Sequence, residues 1–147
     1  MKEDTCLFCG FVSSSSDTVA VFEDDACYVF LDHRPLFPGH CLVVPREHYE
    51  TLTDLPPTAV GPFFQRVQLI ASAVQSAMGA EGTFVAMNNR VSQSVPHLHV
   101  HVVPRKKGDG LKGFFWPRTK YKSPAEMIEV GKLIADQIKI GNGLVQI

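Results

Sequence analysis

Val95-Pro96-His97-Leu98-His99-Val100-His101-Val102-Val103-Pro104-Arg105 places three of the chain's six histidines at every second residue, with aliphatics between them. Side chains on a strand alternate between its two faces. A strand over 97–103 therefore lines one face with three imidazoles and buries Leu98, Val100 and Val102 on the other. Neutral imidazole is both a nucleophile and a metal ligand, and it titrates near neutrality, at about pH 6.5. A histidine-rich surface strand or a metal-scavenging tract is the plainer reading, but neither needs the intervening aliphatics.

Working outward, Thr18 to Phe22 and Cys27 to Leu31 are β-branched and aromatic runs split by Glu23-Asp24-Asp25, which suits a hairpin. Cys41 to Val44 reads as a third strand entered through Pro38-Gly39-His40, and Thr83 to Asn88 as a fourth. From Pro56 to Met78, the residues Phe63, Val67, Ile70, Val74 and Met78 recur at helical spacing. Gly61-Pro62 implies either a start near Pro62 or a kink there. A C-terminal helix over about 124–140 is expected from Ser123-Pro124-Ala125-Glu126, a capping box with proline at the first helical position. Its apolar face carries Met127, Val130, Ile134 and Ile138. Ser13 to Asp17 is a short polar loop. Strands mostly joined without helices point to an antiparallel sheet of the α+β class, with five strands and two helices.

The 147 residues are read as one domain over 1–147, with a core of its own. With 14 basic and 15 acidic residues the net charge is −1, so bulk attraction to nucleic acid or to a membrane is not expected. No signal-like or membrane-length apolar run is present, which leads to an expected cytoplasmic location. Four cysteines occur, Cys6, Cys9, Cys27 and Cys41, and in a reducing compartment Cys6-x-x-Cys9 signals metal or redox chemistry. Cys27 and Cys41, on strands, read as buried apolar residues.

The run His97 to Val103 resembles the signature of the histidine triad (HIT) family of nucleotide hydrolases and transferases. Gln93-Ser94-Val95 before it, Asn88, Asp32, and Pro38-Gly39-His40 leading into Cys41 to Pro45 stand in the family's order, so the likeness covers roughly 6–118. The ending from His101 through Asp109 is similar to the dinucleoside polyphosphate hydrolase branch. One departure is visible: Asn88 to Gln93 is about two residues short and lacks the glycine commonly placed before the glutamine. The resemblance implies a sheet of about five antiparallel strands with two helices, and a homodimer whose sheets abut.

It also implies a catalytic group of His99, His101, Ser94 and His40. His99 is the implied nucleophile, attacking the α-phosphorus of a nucleotide conjugate to form a nucleotidyl-histidine and so dividing one hard displacement into two easier ones. His101 would donate to a nonbridging oxygen. Ser94 would help protonate the leaving group, and read alone it is equally a turn hydroxyl. His40 would pack behind the triad as its partner. The implied nucleotide-binding set is Asp32, Phe8, Phe11, Phe30, Asn88, Gln93, His99 and His101. Asp32 would accept from both ribose hydroxyls, a role compatible with holding its own turn in Asp32-His33-Arg34-Pro35. Phe8, Phe11 and Phe30 would form the nucleobase slot, since aromatic faces stack any base; Phe30 is equally core. The substrate implied is a purine nucleotide or dinucleoside polyphosphate.

Some relatives place zinc on the triad strand, away from the reacting phosphate. Here Cys6, Cys9, His48 and His97 would supply a Cys₂His₂ set, donors that suit tetrahedral Zn²⁺. The metal would pin the zinc-knuckle-like start at 6–9 to the strand that holds His99. Free or redox-active thiols are the alternatives. Arg105, Lys106, Lys107, Lys112, Arg118, Lys120 and Lys122, interleaved with Phe114, Phe115 and Trp116, read either as a solvated face or as an arm for distal phosphates and a second base. Against the hydrolase reading stand a non-catalytic nucleotide-binding regulatory module and a zinc-stabilised scaffold.

Overall fold

The computed structural model describes residues 5–14, 17–111 and 119–142, with side chains through Gln137 in the last segment. Two compact units result, Met1–Asp109 and Gly110–Ile147. The first carries the sheet, built from β1 (Ala20–Glu23), β2 (Cys27–Leu31), β3 (Cys41–Pro45), β4 (Gly82–Ala86) and β5 (Val100–Arg105). Their order across the sheet is β1-β2-β3-β5-β4, and every pairing is antiparallel.

Two helices cover this sheet, one on each face. The long α2 (Pro57–Ala77) buries Phe63, Val67, Ile70 and Val74 against Val29, Val43, Leu98, Val100 and Val102. The short α1 (Leu7–Ser13) covers the other face, packing Phe8 into a cluster with Tyr28, Phe30, Leu42 and Val44. With both faces covered, all five residues of β3 are buried and polar alternation has no place. That is why Cys27 to Leu31 and Cys41 to Pro45 read as continuous apolar runs.

Helix α2 starts with Pro57 at its first position, where the missing amide hydrogen is no loss, and continues through Pro62. Of the two sequence readings of that proline, a helix beginning near Pro62 is thereby set aside. One more helix than the two expected is present, because the Cys6-x-x-Cys9 region folds as α1 rather than as a bare knuckle.

The triad strand needs a shift of register. Pairing on β5 begins at Val100, not at His97, and runs to Arg105. The Leu98 amide is directed to the Tyr49 carbonyl at 2.6 Å, and His97 closes a tight turn on the Val95 carbonyl at 2.8 Å, so both residues are drawn out of the ladder. Alternation survives nonetheless. Leu98, Val100 and Val102 are fully buried under α2, while His97 and His99 meet Phe8 of α1 on the opposite face.

In the second unit α3 spans Pro124–Asn142. Its box forms with a shift of one residue: the Ser123 hydroxyl accepts from the Glu126 amide at 3.1 Å, and the Glu126 carboxylate accepts from the Lys122 amide rather than from that of Ser123. Met127, Val130 and Ile134 keep the expected spacing. The side chain of Ile138 and the aromatic segment Phe114 to Trp116 lie outside the described residues. Among the described residues no helix is long and apolar enough to cross a membrane.

Candidate functional site

Each histidine of the row is fixed by a different neighbour, and those neighbours decide which nitrogen carries the proton. His99 donates from Nδ1 to the carbonyl of His97 at 2.7 Å, leaving its Nε2 lone pair bare. His40 accepts at Nδ1 from the Leu36 amide at 3.1 Å, so its proton sits on Nε2. That Nε2–H points at His101 Nδ1, 2.9 Å away. His101 is thereby made an acceptor on its inner nitrogen and a donor on its outer one, Nε2. These tautomers follow from backbone groups whose roles are not interchangeable.

Burial keeps the whole row neutral. It holds His99 below the usual 6.5, with the His97 carbonyl and the Asp32 carboxylate pulling the other way. Burial likewise lowers His101, to about 4, aided by the neighbouring His99 and His40. His40 is lowered by burial and partly restored by Asp32, whose Oδ2 lies 3.8 Å from His40 Nε2. The rings of His99 and His101 stand 5.1 Å apart. A bare ring nitrogen beside a ring N–H donor is an arrangement that can attack phosphorus and cradle the charge that develops on its oxygen.

Asp32 closes its own turn and also stands at the edge of a cavity. Its Oδ1 accepts from the Arg34 amide at 2.8 Å, closing the turn. Asp32 also lines a cavity of about 510 Å³ with Phe11, Thr18, Val19, Phe30, Leu31 and His33. Phe11 and Phe30 thus form walls of that space, whereas Phe8 lies behind them, 5.9 Å and 5.4 Å from their rings. A depression of about 570 Å³ between Arg46, Arg66 and the start of α2 is larger, but it contains none of the imidazoles and none of the expected site residues.

The loop before the triad is held by its own side chains. Gln93 accepts at Oε1 from the Arg90 amide at 2.8 Å and donates from Nε2 to the Glu50 carbonyl at 2.6 Å. Asn88 donates to the Ser92 carbonyl at 3.2 Å. Both amides brace the loop in this state. Ser94 is exposed, and among the described residues its hydroxyl makes no hydrogen bond, so nothing here ties it to the turn. Ser92, standing where the resemblance leads one to look for glycine, has φ +60, and Arg90 has φ +67. The left-handed backbone is kept without the residue that adopts it freely. Ser92→Gly is accordingly expected to raise stability by roughly 1 kcal/mol, net of the entropy glycine adds to the unfolded chain. Urea unfolding measures it, and a destabilised variant would show that Ser92 is not strained.

On the α1 side of the row, His97 leaves the other imidazoles and joins a second group. Its Nε2–H donates to the Pro45 carbonyl at 2.9 Å, turning Nδ1 toward the cysteines. His97 Nδ1 lies 3.5 Å from both Cys6 Sγ and Cys9 Sγ, and His48 Nδ1 lies 3.3 Å from Cys9 Sγ. All four donor atoms fall within 4.8 Å of one another. Zinc bonds of about 2.3 Å to sulfur and 2.0–2.1 Å to nitrogen give a tetrahedral S···N edge of roughly 3.5 Å. The cage therefore fits Zn²⁺, and the Pro45 carbonyl would be the outer partner that fixes the tautomer of His97 as a ligand. Cys27 and Cys41 take no part: burial pushes their thiols up to about 12 and about 11.

Sequence reasoning missed the Pro45 carbonyl, the Leu36 amide and the Tyr49 carbonyl. All are backbone groups, and no side-chain pattern announces them.

One face of imidazoles, a carboxylate-edged cavity and a four-donor cage thus stand on one sheet. The HIT domain profile matches residues 13–108, and the chain belongs to the HIT family. It is 36% identical over 111 residues to the adenylylsulfatase HINT3 of Arabidopsis thaliana, covering 74% of this chain and 56% of that one. The chain thus spans little more than half the length of that relative. It is 31% identical over 137 residues to the adenosine 5'-monophosphoramidase hnt1 of Schizosaccharomyces pombe, covering 92% and 99% of the two chains. A Zn-bound histidine triad family protein from Mycobacterium smegmatis superposes with a TM-score of 0.70 at 32% identity, over 92% of this chain and 99% of that one. Hydrolases are thus among the relatives of this chain.

Proposed function

We propose that this protein is a nucleotide hydrolase or nucleotidyl transferase that acts at the α-phosphorus of nucleoside polyphosphate or phosphoramidate conjugates through a nucleotidyl-His99 intermediate. The observation that carries the reading is the Nδ1–H bond from His99 to the His97 carbonyl, which leaves Nε2 neutral and unhindered by a proton. In the first step that lone pair forms a P–N bond in line with the bond being broken. The leaving group departs with its electron pair and takes a proton, from the Ser94 hydroxyl or from solvent. The phosphorylated imidazole becomes cationic, and the His97 carbonyl stabilises it through Nδ1–H. In the second step water attacks phosphorus and gives up its proton to the group that protonated the leaving group, Ser94 or solvent. The P–N bond breaks with its electron pair returning to Nε2, so that neutral His99 and the Ser94 hydroxyl are restored.

His101 Nε2–H is oriented to donate to a nonbridging oxygen in both steps, and His40, by pinning His101 Nδ1, sets that orientation. Asp32 would hold the ribose hydroxyls and Phe11 and Phe30 the base, with Phe8 supporting them. Gln93 and Asn88 would shape the phosphate loop and reach the phosphate only by exchanging their present bonds. Cys6, Cys9, His48 and His97 would hold Zn²⁺, which supplies structural cross-linking and no bond to the substrate. A homodimer with abutting sheets suits the edge position of β4, where Val85 is exposed. A Cys-x-x-Cys pair held as metal ligands, with Cys27 and Cys41 buried in the core, suits the reducing cytoplasm.

A panel of diadenosine polyphosphates, adenosine phosphoramidate and adenylyl sulfate tests the reading. The expected result is AMP released from at least one of them at a rate far above solution hydrolysis. Tight AMP binding with turnover of none would contradict it.

A further inference from the structure

The metal cage and the aromatic slot share one element. Helix α1 follows its N-cap, Cys6, carries Cys9 in its first turn and places Phe8 between the two cysteines and Phe11 after them. Phe8 is buried and touches the rings of His97 and His99, at 6.0 Å and 5.2 Å, as well as those of Phe11 and Phe30. Phe11 in turn forms a wall of the 510 Å³ cavity edged by Asp32.

Seven residues do not make a self-sustaining helix, and this one has a glycine at position 10 and no side-chain cap. Its position must come from tertiary ties. Those include the packing of Phe8, with Phe11 and Val12 beside it, and the approach of two sulfurs to His97 and His48. Without a metal the sulfur contacts are weak thiol–imidazole bonds. With one they are four bonds to a common centre.

The phosphate end is tied down differently. His99 hangs on the His97 carbonyl, His97 on Pro45, His101 on His40, and Asp32 on the Arg34 amide. Each of these four hydrogen bonds ends on a group outside α1, which reaches this end only through the Cys6 and Cys9 sulfurs beside His97 and the ring of Phe8 beside His99.

Resting on the zinc reading above, we propose that Zn²⁺ in the Cys6, Cys9, His48 and His97 cage sets the affinity for the nucleobase by fixing α1, and that Phe8 and Cys9 are positioning residues for nucleotide recognition. The metal acts on the end of the substrate that does not react. Its removal should loosen the grip on the base and leave the grip on phosphate intact.

The test compares the full chain loaded with Zn²⁺ and the same chain stripped by chelator, with calorimetric Kd values for AMP and for inorganic pyrophosphate. AMP binding should weaken by about tenfold or more on stripping, the scale of losing one stacked base. Pyrophosphate binding should stay within about twofold, which also shows that the stripped protein remains folded. Hydrogen exchange at the amides of 7–13 should accelerate. Phe8→Ala, loaded with its zinc, should reproduce the loss for AMP alone. Equal AMP affinity with and without metal would overturn the inference while leaving the zinc reading standing, and so would parallel losses for AMP and pyrophosphate. A chain that takes up no zinc on loading would overturn the zinc reading and this inference with it.

Discussion

His99→Ala is expected to lower kcat/KM by at least about a thousandfold, toward the residual rate that binding and charge stabilisation alone can supply. The magnitude follows from the role: the substitution deletes the atom that forms the new bond, whereas the rest of the constellation persists. Leu98 and Val100 on either side remain buried under α2, and the loss of one ring from a nearly closed site leaves a cavity but not an unpaired charge, because His99 is neutral. AMP binding should therefore survive within about tenfold, and the defect should fall on kcat rather than on KM. Stopped-time assays with the best substrate from the panel, together with AMP titration, measure both. A variant that turns over at the rate of the parent would remove His99 from the chemistry.

The second large effect concerns stability. If free zinc stands about a thousandfold over its dissociation constant, binding to the native state alone contributes about 4 kcal/mol. Cys6 is the ligand to remove, being buried beside His97 and at the head of α1. Cys6→Ala is expected to unfold at the same urea concentration as the chelator-treated parent, several kcal/mol below the zinc-loaded parent, and to be indifferent to chelator itself. Denaturation curves with and without chelator decide it. A parent whose stability ignores chelator would show that the four donors hold no metal.

Much of this architecture was readable in the residues. Cys27 to Leu31 and Cys41 to Pro45 declare strands because they are apolar and β-branched, and the helix over Phe63 to Val74 declares itself by period. Asp32, His99 and the Cys6, Cys9, His48 and His97 set could be named because chemistry needs particular side chains at particular spacings, and the fold does bring those four donors together.

What escaped was local structure decided by distant backbone. Leu7 to Ser13 shows no helical signal of its own, since its form depends on the sheet face and the sulfur contacts that hold it. The start of β5 slipped from His97 to Val100 because the Leu98 amide is claimed by a carbonyl 49 residues earlier in the chain. The tautomers of His40, His97 and His99 rest on the Leu36 amide and the Pro45 and His97 carbonyls. Backbone groups are common to every residue, so a sequence pattern cannot say which of them will meet a ring.

The central claim is that the bare Nε2 of His99 forms a covalent bond to the α-phosphorus. Mass spectrometry of protein quenched in acid-free denaturant within one turnover measures it most directly, using the best conjugate of the panel. The account expects one nucleotidyl group per chain, mapped to the peptide bearing His99 and lost on a chase with water. Sustained AMP release with no adduct on that peptide at any time in the turnover, or with the adduct on another residue, would contradict it.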